Sequence, residues 1–146
     1  MSQITNLLNI LVATSADFYF AYKYYHWNIS GQDFYQFHKL FDSHASIVFE
    51  TIDPTAERIR QLNQETKGDL VSYSHLSRII LEKPIATNNI QNSLIYLLAQ
   101  HEIIITLLEE IISSSENDYS TADLLTGFLE KHQQMHWFIQ SSIEPK

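Results

Sequence analysis

At 146 residues the chain is long enough to bury a proper core and is expected to form a single domain over 1–146. Three glycines and three prolines favour long helices over strands, and the lack of cysteine excludes disulfides, a thiolate nucleophile and a zinc–thiolate site. Nine Lys and Arg against seventeen Asp and Glu leave a formal charge of −8, with the bases scattered, which suits a metal cation better than nucleic-acid phosphates.

The first 22 residues hold no Lys or Arg, and no unbroken apolar run spans a bilayer, so a soluble, cytoplasmic protein without a signal peptide is expected. Ile4, Leu7, Leu8, Leu11, Ser15, Phe18, Tyr22, His26 and Ile29 recur every three or four residues, which reads as one helix from about 4 to 29, stopped by Ser30 and Gly31. A second helix begins near Phe34, carries Phe37, Phe41, Ala45, Val48, Ile52, Ala56 and Ile59 on its core face, and ends around Gln64. Pro54 removes an N–H from it and is expected to kink it near Glu50. Asp53 and Pro54 could instead open a restarted helix with Asp53 as its cap. The apolar stripe runs on through Ala56 and Ile59, which favours a kinked but continuous rod.

Residues 65–72 read as a connector, followed by a short helix from Tyr73 to about Leu81, with Tyr73 or Ser74 near its start and Pro84 ending the segment. Thr87 or Asn88 caps a third long helix that reaches about Ser113 through Ile90, Leu94, Leu97, Leu98, His101, Ile104, Ile105, Leu108 and Ile112. After a polar turn, Ser120 or Thr121 caps a fourth helix running to about Ser142. The fold class is therefore all-α: a four-helix bundle with a short extra helix in the long connection between helices two and three.

Five potential metal ligands fall within 32 residues: His26, His38, Asp42, Asp53 and Glu57. His38 and Asp42 are one turn apart, as are Asp53 and Glu57. From Asp42 to Asp53 is eleven residues, about 20° past three full turns, so all four share one stripe. The pairs nevertheless lie about 22 Å apart along the axis, so one rod cannot close them on one ion. A second, antiparallel copy across a two-fold axis near Ile47 and Val48 completes both halves and gives two identical sites per dimer. His26 precedes the 30–33 turn by about one helical turn and His38 follows it by about one, so His26 joins the His38–Asp42 half. Any one such pair is ordinary on a solvated helix face; the common phase of four is what singles them out. Mixed nitrogen and oxygen ligands suit Fe(II), with Mn(II), Co(II) and Zn(II) as competitors, and bridging carboxylates suit two metal positions.

His26-Trp27-Asn28, Gly31, Phe34, His38, Phe41-Asp42 and Ala56-Glu57-Arg58-Ile59 resemble the signature of the Dps family, the mini-ferritins. The likeness continues through residues 120–126 and Trp137-Phe138-Ile139, and so covers nearly the whole chain. The resemblance implies a ferritin-like bundle assembled as a hollow dodecamer of two-fold dimers. His26, His38 and Asp42 of one subunit would form each ferroxidase centre with Asp53 and Glu57 of the other. It further implies oxidation of Fe(II) to Fe(III), preferentially by hydrogen peroxide, and storage of the mineral, which protects against oxidative damage. Ordinary ferritins build their site inside one bundle with Glu-x-x-His pairs; no Glu here has a His three residues later.

By the same resemblance, Asp118 and Asp123 fall where an iron-entry pore is lined with acids, although acids near a helix start are common for other reasons. Gly127 stands where some relatives carry another acid, with Glu130 close by. Trp27, with Tyr24, Tyr25 and Tyr35, could trap radicals, although aromatic stripes usually serve packing. His44, His75, His101, His132 and His136 have no matched ligand spacing, and His101 reads as a core or interface histidine. Family members that condense DNA carry lysine-rich extensions; here Lys146 is the sole base after the fourth helix, so DNA binding is expected to be weak or absent. The competing readings are a DNA-coating or non-iron metal-binding cage with little turnover, and a purely structural helical dimer.

Overall fold

The computed structural model describes residues 2–79 and 88–145. Among these, the chain forms α1 (Gln3–Asn28), α2 (Phe34–Glu50), α3 (Ile52–Gln61), α4 (Leu70–Leu76), α5 (Ile90–Ser114) and α6 (Tyr119–Ser142), with no strands. Helices α1, α2–α3, α5 and α6 make a four-helix bundle, and α4 lies against α1 in the long connection.

The rod α2–α3 shows what Pro54 does. With no N–H at Pro54, the Glu50 carbonyl loses its helical partner. Thr51 tightens instead: its N–H donates to the Val48 carbonyl at 3.1 Å and its hydroxyl donates to the same oxygen at 2.7 Å. Thr51 keeps right-handed helical angles, φ −83° and ψ −16°, so the chain bends without leaving the rod. In place of the kinked but continuous helix, the structure has two helices that end and restart at Thr51, which caps both. The alternative, with Asp53 as cap, is not realised, because Thr51 occupies that position and Asp53 is the second residue of α3.

The turn between α1 and α2 is set by Gly31 at φ 101°, a conformation that L side chains avoid. Asp33 follows, also left-handed at φ 68°, and places Phe34 at the start of α2. Buried Asn9 secures the later connector, donating to the Glu65 carbonyl and accepting from the Lys67 N–H at 2.8 Å. The core is formed by Leu8, Phe18, Tyr22 and Tyr25 of α1, Phe41 and Val48 of α2, and Ile59 of α3. Leu94, Leu97, Ile104, Leu107, Leu108 and Ile111 of α5 meet them, with Leu125, Met135 and Ile139 of α6. Burying each such side chain contributes about 1.5–3 kcal/mol. By length and a mean hydropathy of 1.2, α1 could cross a bilayer, but 61% of that stretch is buried inside the bundle, which marks a core helix.

Several boundaries differ from the sequence expectations. The short helix is Leu70–Leu76, not 73–81, because Asp69 caps it by accepting from the Ser72 N–H at 2.9 Å. Asn89, rather than Thr87 or Asn88, caps α5, its side chain accepting from the Asn92 N–H. Pro84 and Thr87 lie outside the described residues. Asp118, rather than Ser120 or Thr121, caps α6. On α5 the innermost positions include Leu107 and Ile111, whereas Ile105 and Ile112 are only half-buried.

Candidate metal centre

Two helix ends bring the first half of the site together. His26 lies near the end of α1 and His38 in the second turn of α2, and the Gly31 turn folds them face to face, ring centroids 3.9 Å apart and 11° from parallel. Their backbone bonds are reciprocal. His26 Nδ1 lies 2.6 Å from the His38 carbonyl oxygen, and His38 Nδ1 lies 2.7 Å from the His26 carbonyl oxygen. A carbonyl only accepts, so each Nδ1 carries the proton, and in the neutral ring each Nε2 keeps its lone pair. Fixing a ring by its far nitrogen is how proteins orient histidine toward a metal.

Asp42, one turn after His38, places Oδ1 3.9 Å from His26 Nε2. Its close partner is Lys23, whose Nζ donates to Oδ1 at 2.6 Å. That bond holds the Asp42 carboxyl below the ordinary carboxylate range and raises Lys23. Lys23 is the sole Lys or Arg in α1, a signal in the sequence that spacing rules did not use.

The second half lies beyond the kink. Asp53 and Glu57 are both exposed on α3, and a hydrogen bond and the negative charge from Asp53 raise the Glu57 carboxyl. Two carboxylates one helical turn apart repel each other, and a cation between them relieves that repulsion. Asp42 and Asp53 remain eleven residues apart on the rod, about 16 Å along its axis. Among the described residues, no group of three His, Asp or Glu side chains in one subunit could hold a metal ion. Between the halves, on nearly the same stripe, Phe49 is 57% exposed, and it packs on Tyr19, which in turn touches Phe20.

Asp118 and Asp123 stand differently from each other. Asp118 caps α6 and receives the Thr121 hydroxyl at 2.6 Å and Arg58 Nη2 at 2.9 Å, while Arg58 Nε donates to Thr121 Oγ1 at 2.9 Å. Partial burial works against its charge, but the Thr121 and Arg58 hydrogen bonds overcome it and hold the carboxyl below its usual value. The clamp joins α3 to the start of α6. Asp123 is exposed and, with Glu57, Pro54, Arg58, Gln61 and Ser120, lines an open cleft of about 480 Å³. The sequence alone had no means of placing Glu57 and Asp123 on one cleft. Trp27 is 62% exposed beside His26, and Glu130 is exposed on α6.

Residues 5–145 match the ferritin-like domain family. A protein of Nostoc sp. described as an uncharacterized low temperature-induced protein is 32% identical over 97% of this chain and 80% of its own length. The DNA protection during starvation protein of Agrobacterium fabrum is 25% identical over 99% of this chain and 90% of its own. Among solved structures, Dps from Thermosynechococcus elongatus is similar with a TM-score of 0.93 and 28% identity, covering 99% of this chain and 92% of that one.

Proposed function

The chain belongs to the ferritin-like domain family, in its Dps branch, a group of iron-storage and protective proteins, and from that footing we propose that it is a peroxide-dependent ferroxidase with sites shared between subunits. His26, His38 and Asp42 of one subunit face Asp53 and Glu57 of its two-fold partner, so each dimer holds two sites, each with room for two iron ions. The observation that carries this reading is the reciprocal His26–His38 backbone pairing, which leaves two Nε2 lone pairs beside Asp42. The exposed rings of Phe20 and Phe49, each in contact with half-buried Tyr19, support a partner chain beside the ligand stripe.

Fe(II) is the substrate, and Zn(II), Mn(II) and Co(II) compete for the same nitrogen and oxygen donors. Two Fe(II) at one site give hydrogen peroxide both electrons, so the O–O bond breaks to water without releasing a radical. The dimers build a hollow dodecamer that holds the ferric mineral in the cytoplasm. Asp123, exposed on the cleft it shares with Glu57, feeds iron inward; Asp118, held by Arg58 and Thr121, shapes that entry rather than binding the ion tightly. A charge of −8 without a basic cluster leaves DNA binding weak at physiological salt.

Anaerobic loading with Fe(II) followed by peroxide tests this directly. Fe(III) forms rapidly at about two Fe(II) per peroxide and stays soluble as a core inside the particle. Slow oxidation at the rate of free iron would remove the enzymatic reading and leave a passive cage.

Lys23 adds a prediction. Metal binding has to draw Asp42 away from the ammonium group, so Lys23→Gln is expected to tighten Zn(II) or Co(II) binding roughly two- to fivefold, the worth of a solvent-accessible ion pair. Calorimetric titration at fixed pH checks it, and an unchanged or weaker affinity contradicts it.

A further inference from the structure

The two halves of the shared site are held in place in different ways. His26 and His38 lock each other through reciprocal bonds to backbone carbonyls, and a short turn ties their helices together. Asp53 and Glu57 are both exposed, and their placement follows from how α3 itself is seated. That seat begins at the break before Pro54. Thr51 and Thr55, 3% and 1% exposed, flank the proline, and each turns its hydroxyl back onto a carbonyl of the rod. Thr51 Oγ1 donates to the Val48 carbonyl and Thr55 Oγ1 to the Thr51 carbonyl, both at 2.7 Å. The Thr55 N–H reaches the Thr51 carbonyl only at 3.4 Å. A threonine hydroxyl bonded back to its own helix bends it, and proline is the commonest cause of a sharp kink. Thr51 and Thr55 thus favour the break from the core side, and Pro54 favours it from the cleft that it lines with Glu57. Towards the other end of α3, Ile59 is buried and Arg58 donates to Asp118 and Thr121 of α6.

We propose that Pro54 and Thr51 are positioning residues: the break they make aims the Asp53–Glu57 pair at the partner subunit's half of the site. The inference rests on the shared ferroxidase reading above. Leverage gives the break its effect. Glu57 lies six residues past Thr51, about 9 Å along α3, so a change of about 10° in the bend carries its carboxylate about 1.5 Å. Metal–ligand distances tolerate only about 0.2 Å. A straightened rod would keep the bundle and still miss the ions. The Pro54 side chain brings no donor atom to a metal, and a continuous helix is the more stable arrangement. Local rules of this kind are broken mainly at functional or strained sites, and here the break stands one residue from Asp53.

The test compares the unaltered particle with Pro54→Ala and with Thr51→Val, which keeps the shape of the side chain and loses its hydroxyl bond. Co(II) alone is titrated into each metal-free particle, read by calorimetry and by the visible absorption bands that report its coordination. Alanine restores the missing N–H and is the best helix former, so Pro54→Ala should melt no lower than the unaltered protein. Its Co(II) affinity should nevertheless fall about tenfold or more, as when other supports behind metal ligands are lost, with the bands changed in position and intensity. Thr51→Val should move both readouts the same way, by about threefold in affinity, the worth of one hydrogen bond. Weaker binding with unimpaired stability is a result that a merely structural residue would not give. If Pro54→Ala keeps the unaltered affinity and bands, or binds weakly only because it melts markedly lower, the positioning role is overturned and the ferroxidase reading stands. Thr51→Val decides in the same way should Pro54→Ala fail to assemble. If the unaltered particle itself takes up no Co(II) and oxidises Fe(II) no faster than free iron, the ferroxidase reading fails and the inference falls with it.

Discussion

Replacing His38 or Glu57 by alanine lowers the initial rate of peroxide-driven Fe(II) oxidation by about a hundredfold or more, since loss of even a supporting residue around a metal typically costs 10–100-fold. The two residues sit on opposite sides of the Thr51 kink and do not meet in one chain, yet each change is expected to be as damaging as the other. His38→Ala removes one Nε2 donor and also the Nδ1–H that holds the His26 carbonyl, so it loosens its neighbour as well. Glu57→Ala removes one acid of the α3 pair and leaves Asp53 alone, with too few donors to retain a second ion. Both side chains are at least partly accessible in the single subunit, so the bundle should fold and the native mass of the particle should be unchanged. Stopped-flow absorbance at fixed Fe(II) and peroxide measures the rate. A loss smaller than about threefold in either variant would remove that residue from the site.

Acid is expected to unfold the protein well above the pH at which its carboxylates titrate. Burial depresses His132 to about 3 and His44 to about 4, and depresses His101 well below its ordinary value. The unfolded chain holds these histidines near 6.5. Below that pH the unfolded state binds protons that the folded state refuses, so stability falls as pH falls, from about 6.5 down toward the folded values. Between pH 7 and 5 each histidine removes about 2 kcal/mol, and three together remove up to about 6 kcal/mol, comparable with the whole stability of many domains. Asp42, Asp69 and Asp118, all held below the ordinary carboxylate value, work in the same direction, but only at more acid pH. Urea midpoints at pH 7, 6 and 5 should drop steadily. A midpoint constant across that range would mean that these histidines do not stay neutral and buried.

What could be read from the sequence follows from which forces are local. The rods were legible because helices bury one face, and Phe18, Tyr22, Phe41, Val48, Leu97 and Ile104 repeat at that period. The helical spacing of the His38–Asp42 and Asp53–Glu57 pairs could be counted for the same reason, and the structure places one pair on α2 and the other on α3. Caps were less so: Asp69 and Asp118 each stand among other good capping residues, and which side chain turns back onto the helix depends on where the chain enters. Lys23 on Asp42, Arg58 on Asp118, and the His44–Tyr22–His101–His132 chain join positions 19 to 79 residues apart. Such pairings leave no periodic trace. Histidines that looked unmatched along the sequence were matched across the core.

Complementation between inactive chains bears most directly on the shared site. Co-assembled His38→Ala and Glu57→Ala subunits pair at random, so about half the dimers are mixed, and each mixed dimer has one site carrying both lesions and one carrying neither. The mixed particles should recover about a quarter of the unaltered oxidation rate, although each variant alone is nearly silent. If the mixture is no faster than its two parents, the ligands belong to sites within single subunits and the two-chain centre is wrong.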